Sequence, residues 1–362
     1  MAKLDRQAAF SGTRPVSEGV AFSVERLTTY LKEAVDGFQG PCSVSQFKGG
    51  QSNPTFLIDA ASGRYVIRRK PPGDLLPSAH AVDREYRVIR ALADTPFPVP
   101  RVYALCEDLT VIGSMFYVME HLDGRVIWEP HCPGEVVEDR AAIYDAMNAA
   151  LATLHGLDPK ALGLEDFGRA EGYVARQIGR WSKQYRASET SDINAMNRLM
   201  EWLPTVAPQS DGISIVHGDY RLDNMILHRD RPEILAVVDW ELSTLGDPLA
   251  DFTYHCMQWV MPISEDGSGV GSLKGCDLDA LSIPTLDTYV SAYCERTGRS
   301  GIANLDVYMA YNFFRLAAIF QGIVGRVRDG TAANENAEMI ESQVAPIAET
   351  AWSFAERAGA TR

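Results

Sequence analysis

The stretch from residue 213 to residue 241 constrains this chain more than any other. Its apolar runs Ile215-Val216, Met225-Ile226-Leu227 and Ile234 to Val238 are short and bounded by polar turn residues, so they read as strands. His217-Gly218-Asp219 follows the first run, Asn224 stands five residues after Asp219, and Asp239 closes the last run fifteen residues later. As isolated residues, Asp219 and Asn224 would be turn formers and Asp239 a helix cap. Held together at strand ends they are a chemical set. An ionised carboxylate can orient a hydroxyl, and a second carboxylate with an amide oxygen suits magnesium, a hard cation that keeps several of its waters. Phosphoryl transfer asks a protein mainly for such positioning and charge neutralisation.

The order also matches the kinase motif of a catalytic Asp, an Asn five residues on and a later metal-binding Asp. On that pattern Asp219 accepts the acceptor hydroxyl proton, Asn224 and Asp239 hold the metal, and Arg221 neutralises charge on the transferring group. H-G-D-Y-R-L-D-N followed by D-W-E-L-S-T-L-G-D-P-L-A-D-F resembles the aminoglycoside phosphotransferase and choline kinase family, which writes H-G-D where protein kinases write H-R-D. The resemblance implies an α+β, bilobal, protein-kinase-like fold, with a small antiparallel-sheet N-lobe and a larger, mainly helical C-lobe. It implies ATP and Mg2+ as cofactors. Asp247 and Asp251 match the family's G-D-P-x-x-D segment, with Asp247 expected to cap the next helix and Asp251 to brace the catalytic loop. Glu241 is open between an outer-shell magnesium ligand and a surface carboxylate.

A nucleotide-binding half should lie upstream. Gln46 to Ile58 alternates around a Gly-Gly-Gln-Ser-Asn turn, a hairpin whose tip can set backbone N–H groups and Ser52 against phosphates. Gly50, Ser52 and Asn53 are the candidate contacts there. Arg64 to Lys70 reads as a strand, and the resemblance aligns Arg68 with the phosphate-binding lysine of kinases. Arg69 and Lys70 remain substitutes, Arg69 on the opposite face of the strand. Asp83 to Leu92 reads as a helix whose Glu85 is the natural partner of Arg68. A surface pair with a neighbouring arginine is the plainer reading of Glu85. Arginine here keeps a permanent charge and a forked donor set, which changes geometry more than charge. Met115 to Leu122 resembles the strand entering a kinase hinge, with backbone groups of Glu120 to Leu122 expected against adenine.

The remaining organisation follows from these anchors. Residues 1–122 form the expected nucleotide-binding lobe, with 1–20 loosely ordered and a helix over 24–36. Residues 123–362 form the catalytic and acceptor-binding lobe, with a helix over 136–156 and an apolar helix over 307–328. Arg315 inside that apolar helix needs a partner, either an acidic residue of the G-D-P-x-x-D segment or an anionic substrate. Residues 255–285, with a Gly/Ser-rich loop from Glu265 to Lys274, fit a cover over the acceptor pocket.

Composition narrows the partners. The net charge of −14 argues against nucleic acid. Residues 64–90 run against that trend with seven basic side chains, either solvated surface or a cradle for a further anionic group. The six cysteines form no C-x-x-C pair and the seven histidines no metal-spaced cluster, which speaks against a zinc site. No apolar run reaches the roughly 18 residues of a membrane span, and the first residues lack the apolar core of a secretory signal. The expectation is a cytoplasmic enzyme with a small hydroxylated substrate and no nucleic acid or membrane partner. Oligomeric state is left open, a homodimer included.

A narrower resemblance covers roughly residues 25 to 355. G-G-Q-S-N-P-T-F, R-R-K-P-P-G-D-L-L-P-S-A-H-A-V-D-R-E-Y and F-R-L-A-A-I-F-Q-G-I are similar to the kinase-like domain that animals fuse to a long acyl-CoA dehydrogenase, and to free-standing bacterial relatives. It implies phosphorylation of a hydroxyacyl-CoA. The alternatives are an aminoglycoside as acceptor and, in another class, a non-catalytic pseudokinase module binding nucleotide or acyl-CoA. A protein kinase lacks support, because no D-F-G-to-A-P-E activation segment follows Asp239.

Overall fold

The computed structural model describes residues 5–49, 53–72, 80–169, 171–210, 212–263, 271–329 and 337–361. Its first part is built on helix α1 (Arg6–Phe10), strand β1 (Thr13–Arg14), helix α2 (Val24–Ala34) and strands β2 (Cys42–Phe47), β3 (Thr55–Ala60) and β4 (Gly63–Arg69). Helix α3 (Val82–Leu92), β5 (Val102–Cys106), α4 (Leu109–Ile112) and β6 (Phe116–Glu120) complete it. The strands form one sheet in the order β1-β2-β3-β4-β6-β5, antiparallel at every pairing. Period-two alternation assigns its faces. Ile67 and Phe56 join Leu27 and Leu31 of α2 in one core, while Val66 on the other face packs with Val88, Ile89 and Leu92 of α3.

Glu85 lies three and four residues before Val88 and Ile89, on the same face of α3, so helical geometry buries it with them. Burial excludes the surface-pair reading. Residues 5–20 correct a second expectation. They are ordered in α1, in β1 paired to β2, and in a 3-10 turn over Glu18–Val20, because Gln46 of β2 accepts hydrogen bonds from the Ser17 backbone and hydroxyl.

The second part begins with β7 (Gly124–Arg125), α5 (Val137–Gly156), α6 (Tyr173–Ser188), α7 (Asn194–Val206) and β8 (Ser214–Val216). It continues through β9 (Met225–His228), β10 (Ile234–Val237), β11 (Thr244–Gly246), α8 (Pro248–Cys256), α9 (Leu286–Arg296), α10 (Leu305–Arg328) and α11 (Ala337–Arg357). This is a helical lobe with two short antiparallel sheets, β10-β9-β7 and β11-β8, at its mouth. The α+β, two-lobed kinase-like architecture expected from the sequence is the one observed. α10 is long and apolar enough to cross a membrane by length and composition, although Arg315 interrupts its apolar run. In this fold it is a core helix, largely buried among α6, α8 and α11.

Candidate active site

The catalytic segment is made by the antiparallel pair β8 and β11, which pairs Ile215 with Leu245 and Val216 with Thr244. Where β8 ends, the chain turns sharply. Gly218 has φ +83°, and a Cβ there would lie 2.7 Å from the Leu242 carbonyl oxygen, so only glycine fits. Asp251 lies beneath this turn. Its carboxylate accepts the amide hydrogens of His217 at 2.6 Å and Gly218 at 2.8 Å, as well as the His155 ring at 3.3 Å. Asp247 caps α8 through the Leu249 N–H at 2.9 Å and accepts the Tyr308 hydroxyl at 2.7 Å. Both G-D-P-x-x-D carboxylates are therefore braces.

Arg315 is buried in α10, and its Nη2 donates to the Gly218 carbonyl at 2.8 Å. The partner expected among the acidic residues is thus a backbone carbonyl of the catalytic turn. Rings of Tyr254 and Trp181 flank the guanidinium at 5.0 and 5.9 Å.

This scaffold presents Asp219 to a convergent donor set. Tyr254 donates to its carboxylate at 2.7 Å, Asn224 Nδ2 at 3.0 Å, and Arg221 Nε lies 3.1 Å away. Burial would push the carboxyl up, but Arg221, the Tyr254 hydroxyl and the Asn224 amide outweigh it and hold it below the ordinary carboxylate range. Asp219 is therefore ionised at neutral pH. The pairing holds Arg221 firmly charged against its own burial, and Arg221 Nη2 also reaches Asp223 at 3.2 Å.

Asp239 stands nearby because the Val238 N–H bonds the Asn224 carbonyl at 2.9 Å. It has φ +67°, a left-handed conformation that turns the chain from β10 into the 3-10 segment Trp240–Leu242. Asn224 commits its amide nitrogen to Asp219, which leaves its side-chain oxygen as a hard donor. The partly exposed carboxylates of Asp239 and Glu241 are, like that oxygen, hard donors of the type magnesium takes, and both carboxylates face Arg68.

Across from it, Arg68 Nε contacts Glu85 at 2.7 Å, and Nη2 pairs with Asp239 and lies 3.9 Å from Glu241. One guanidinium thus links the sheet, α3 and the Asp239 segment. Arg69 points the other way, to the Ser114 hydroxyl at 2.7 Å and the Val20 carbonyl at 2.9 Å, so strand alternation leaves Arg68 in the site and Arg69 out of it. Asn53 Nδ2 donates to Glu85 at 2.7 Å, and its oxygen meets His80 at 3.0 Å. Asn53 is committed to bracing Glu85. Gly50 and Ser52 lie outside the described residues. At the hinge, the Glu120 N–H bonds the Arg101 carbonyl at 2.9 Å and the Glu120 carboxylate accepts the Arg101 N–H at 2.6 Å. The Leu122 carbonyl accepts the Gly124 N–H at 3.1 Å.

Beside Asp219 opens a cavity lined by Trp128, Leu222, Tyr254, Met257, Met261 and Leu316, with Arg221 and Asp223 at its polar end. Sequence reasoning missed Tyr254 and Asp223. Tyr254 is three residues after Asp251, on the same face of α8, and that spacing was the available signal.

The sequence model of the phosphotransferase enzyme family (APH) matches residues 43–300, which takes in Arg68, Glu85, Asp219, Asn224 and Asp239. The chain belongs to this family. As a family member it is a small-molecule phosphotransferase, a kinase. A solved structure of a candidate aminoglycoside phosphotransferase from Ralstonia eutropha is 47% identical, with a TM-score of 0.84 over 93% of this chain and 99% of that one. Choline kinase from Cryptosporidium parvum shares the fold, with a TM-score of 0.64 at 12% identity over 93% of this chain and 97% of that one. The mouse protein acyl-CoA dehydrogenase family member 10 is 45% identical over 351 residues, 96% of this chain and 32% of that protein. The chain spans less than half the length of the curated relatives it matches.

Proposed function

We propose that this phosphotransferase uses ATP and magnesium to phosphorylate a hydroxyl of an acyl-CoA-type metabolite. In this reading Asp219 orients the acceptor hydroxyl and takes its proton, and Arg221 offsets charge on the transferring group. Arg68, held by Glu85, contacts the nucleotide phosphates, and backbone groups from Glu120 to Leu122 hold adenine. Asn224 and Asp239 would hold magnesium, which when bound neutralises phosphate charge and aligns the phosphoryl group.

One observation carries the choice of acceptor. The cavity beside the catalytic loop is lined by Trp128, Leu222, Met257, Met261 and Leu316 with His255 and Gln258 among them, and its lining carboxylate, Asp223, is paired with Arg221 at 3.2 Å. The enclosed space is about 30 Å³, so without side-chain movement these apolar walls take only the reacting end of an acyl chain. A polycationic aminoglycoside needs spare carboxylates, and Asp219 and Asp223 are already neutralised. Similarity to proteins named acyl-CoA dehydrogenase family members supports the same class. The intact Asp219, Asn224 and Asp239 set argues against a non-catalytic module.

The test is Mg·ATP turnover against a panel of 4-hydroxyacyl-CoAs, aminoglycosides and choline, with Asp219→Asn as control. We expect ADP formation dependent on a hydroxyacyl-CoA, reduced about 10²–10⁴-fold in the variant, the range of a lost general base. Turnover on an aminoglycoside alone would replace the acceptor assignment. Nucleotide binding without turnover on any acceptor would overturn the catalytic reading.

A further inference from the structure

We propose that the segment Arg6–Arg14 completes the acceptor site and that Arg6 is a positioning residue for the phosphoryl transfer. The inference rests on the functional reading above and concerns residues outside the matched family region.

The segment is a strap tied to both lobes. At one end β1 pairs with β2, placing Thr13 opposite Phe47, and the Gly12 carbonyl accepts the Lys48 N–H at 3.1 Å, directly before the Gly-rich hairpin. At the other end α1 lies on the loop after β7. Gln7 Nε2 donates to the Val126 carbonyl at 2.9 Å, Arg6 Nη1 to the Trp128 carbonyl at 2.8 Å, and the Phe10 ring sits 5.0 Å from that of Trp128.

Arg6 then reaches the catalytic loop, 217 residues away in sequence, with Nη2 3.3 Å from Asp223 Oδ2. Arg221 Nη2 meets the same oxygen at 3.2 Å, and Arg221 Nε is 3.1 Å from Asp219. Arg6, Asp223, Arg221 and Asp219 are therefore one chain of alternating charge ending on the residue that orients the acceptor. Arg6 is only 8% exposed, unusual for a guanidinium on a five-residue helix, and burying it is costly unless its partners repay the desolvation. A simple surface anchor would leave the charge in water. With Arg6 removed, Asp223 loses one of its two cations and draws Arg221 away from Asp219.

Trp128 adds an independent reason to place the strap in the site. It lines the acceptor cavity, and its buried indole N–H has no hydrogen-bond partner among the described residues, so it is a donor available to an acceptor. Its other side touches the nucleotide hairpin, since a Cβ at Gly49 would lie 2.9 Å from the indole ring. The strap holds Trp128 through Phe10. One wall thus faces the acceptor and abuts the hairpin expected to cover the phosphates, and it shields the transfer from water.

The experiment compares wild type, Arg6→Gln, Arg6→Lys and Phe10→Ala, with Mg·ATP and a 4-hydroxyacyl-CoA as acceptor. We expect Arg6→Gln to lower acceptor-dependent kcat at least tenfold while KM for Mg·ATP stays within threefold, and Arg6→Lys to recover most of the loss. Phe10→Ala leaves every ion pair in place and should raise acceptor KM at least fivefold with Mg·ATP KM unchanged. It also serves as the deciding variant if Arg6→Gln does not fold. An Arg6→Gln kcat within twofold of wild type would overturn the inference, as would losses in kcat and Mg·ATP binding by a common factor. An unchanged acceptor KM in Phe10→Ala overturns it too. Wild type is run in parallel: its failure to turn over a 4-hydroxyacyl-CoA would overturn the acceptor reading above and this inference with it, whereas intact wild-type turnover isolates the inference.

Discussion

Glu85 Oε2 lies 2.7 Å from Arg68 Nε on a carboxylate that no solvent reaches. Burial pushes this carboxyl up to about 7 even with Arg68 beside it, so Glu85 changes charge in the neutral range. As pH falls through about 7, Arg68 loses its ionised partner in α3, and kcat/KM for ATP should fall with it. The stability effect has the opposite sign. A carboxyl raised from 4.5 to about 7 by folding stabilises the fold fully below 4.5, and that contribution is lost as pH rises through about 7. Glu85→Gln should flatten the acid limb of the pH–rate profile and lower kcat/KM for ATP. A limb that persists unchanged in the variant would assign it to another group.

The Tyr254 hydroxyl donates to Asp219 at 2.7 Å. Hydrogen bonds to charged groups contribute about 1.5–3 kcal/mol. Tyr254→Phe should therefore lower acceptor-dependent kcat about tenfold or more while leaving nucleotide affinity, measured by calorimetric titration, unchanged. Equal loss in both parameters would mean that Tyr254 only holds the fold.

Asp251 makes the reverse pH argument. Burial pushes its carboxyl up, but His155, His217 and the backbone N–H donors outweigh that and hold it below its ordinary value of 3.8. Its contribution to stability is present above the unfolded value and disappears as pH falls through the folded one. Asp251→Ala strands the N–H groups of His217 and Gly218, at about 1–3 kcal/mol for each buried group. Thermal melts should show a large destabilisation at pH 7 that shrinks at acid pH.

Gly218→Ala should be damaging without altering any charge. A left-handed backbone costs a non-glycine residue about 1–3 kcal/mol, and the added Cβ would meet the Leu242 carbonyl oxygen at 2.7 Å. Activity should fall more than stability, because the turn that must shift carries Asp219. A variant with wild-type kcat would show that the loop tolerates the displacement.

Much of the site was legible in sequence, because phosphoryl transfer needs particular donors at particular separations along the chain. Asp219, Asn224 and Asp239 lie within one strand–loop–strand unit, where local spacing and spatial proximity coincide. Arg68 and Glu85 were indicated by the resemblance to the kinase cation–carboxylate pair, with Arg69 and Lys70 still open as substitutes, and burial then decided between pairing in the core and pairing at the surface. Asn53 lay beyond that reach. The Gly-rich hairpin suggested a phosphate contact, while the fold turns its amide toward Glu85.

Local pattern by itself determined the central carboxylates and the chemistry they suit, because these depend on neighbours a few residues apart, while the two-lobed kinase-like fold was implied by the motifs' resemblance to a known family. Tertiary structure decided what approaches from a distance: the Gly218 carbonyl as partner of Arg315, Tyr254 on Asp219, and Arg6 at Asp223. The physical reason is that a buried charge must be neutralised or hydrogen-bonded by whatever packing brings within about 3 Å. Composition announces that a partner is needed, and only the packed chain selects which one.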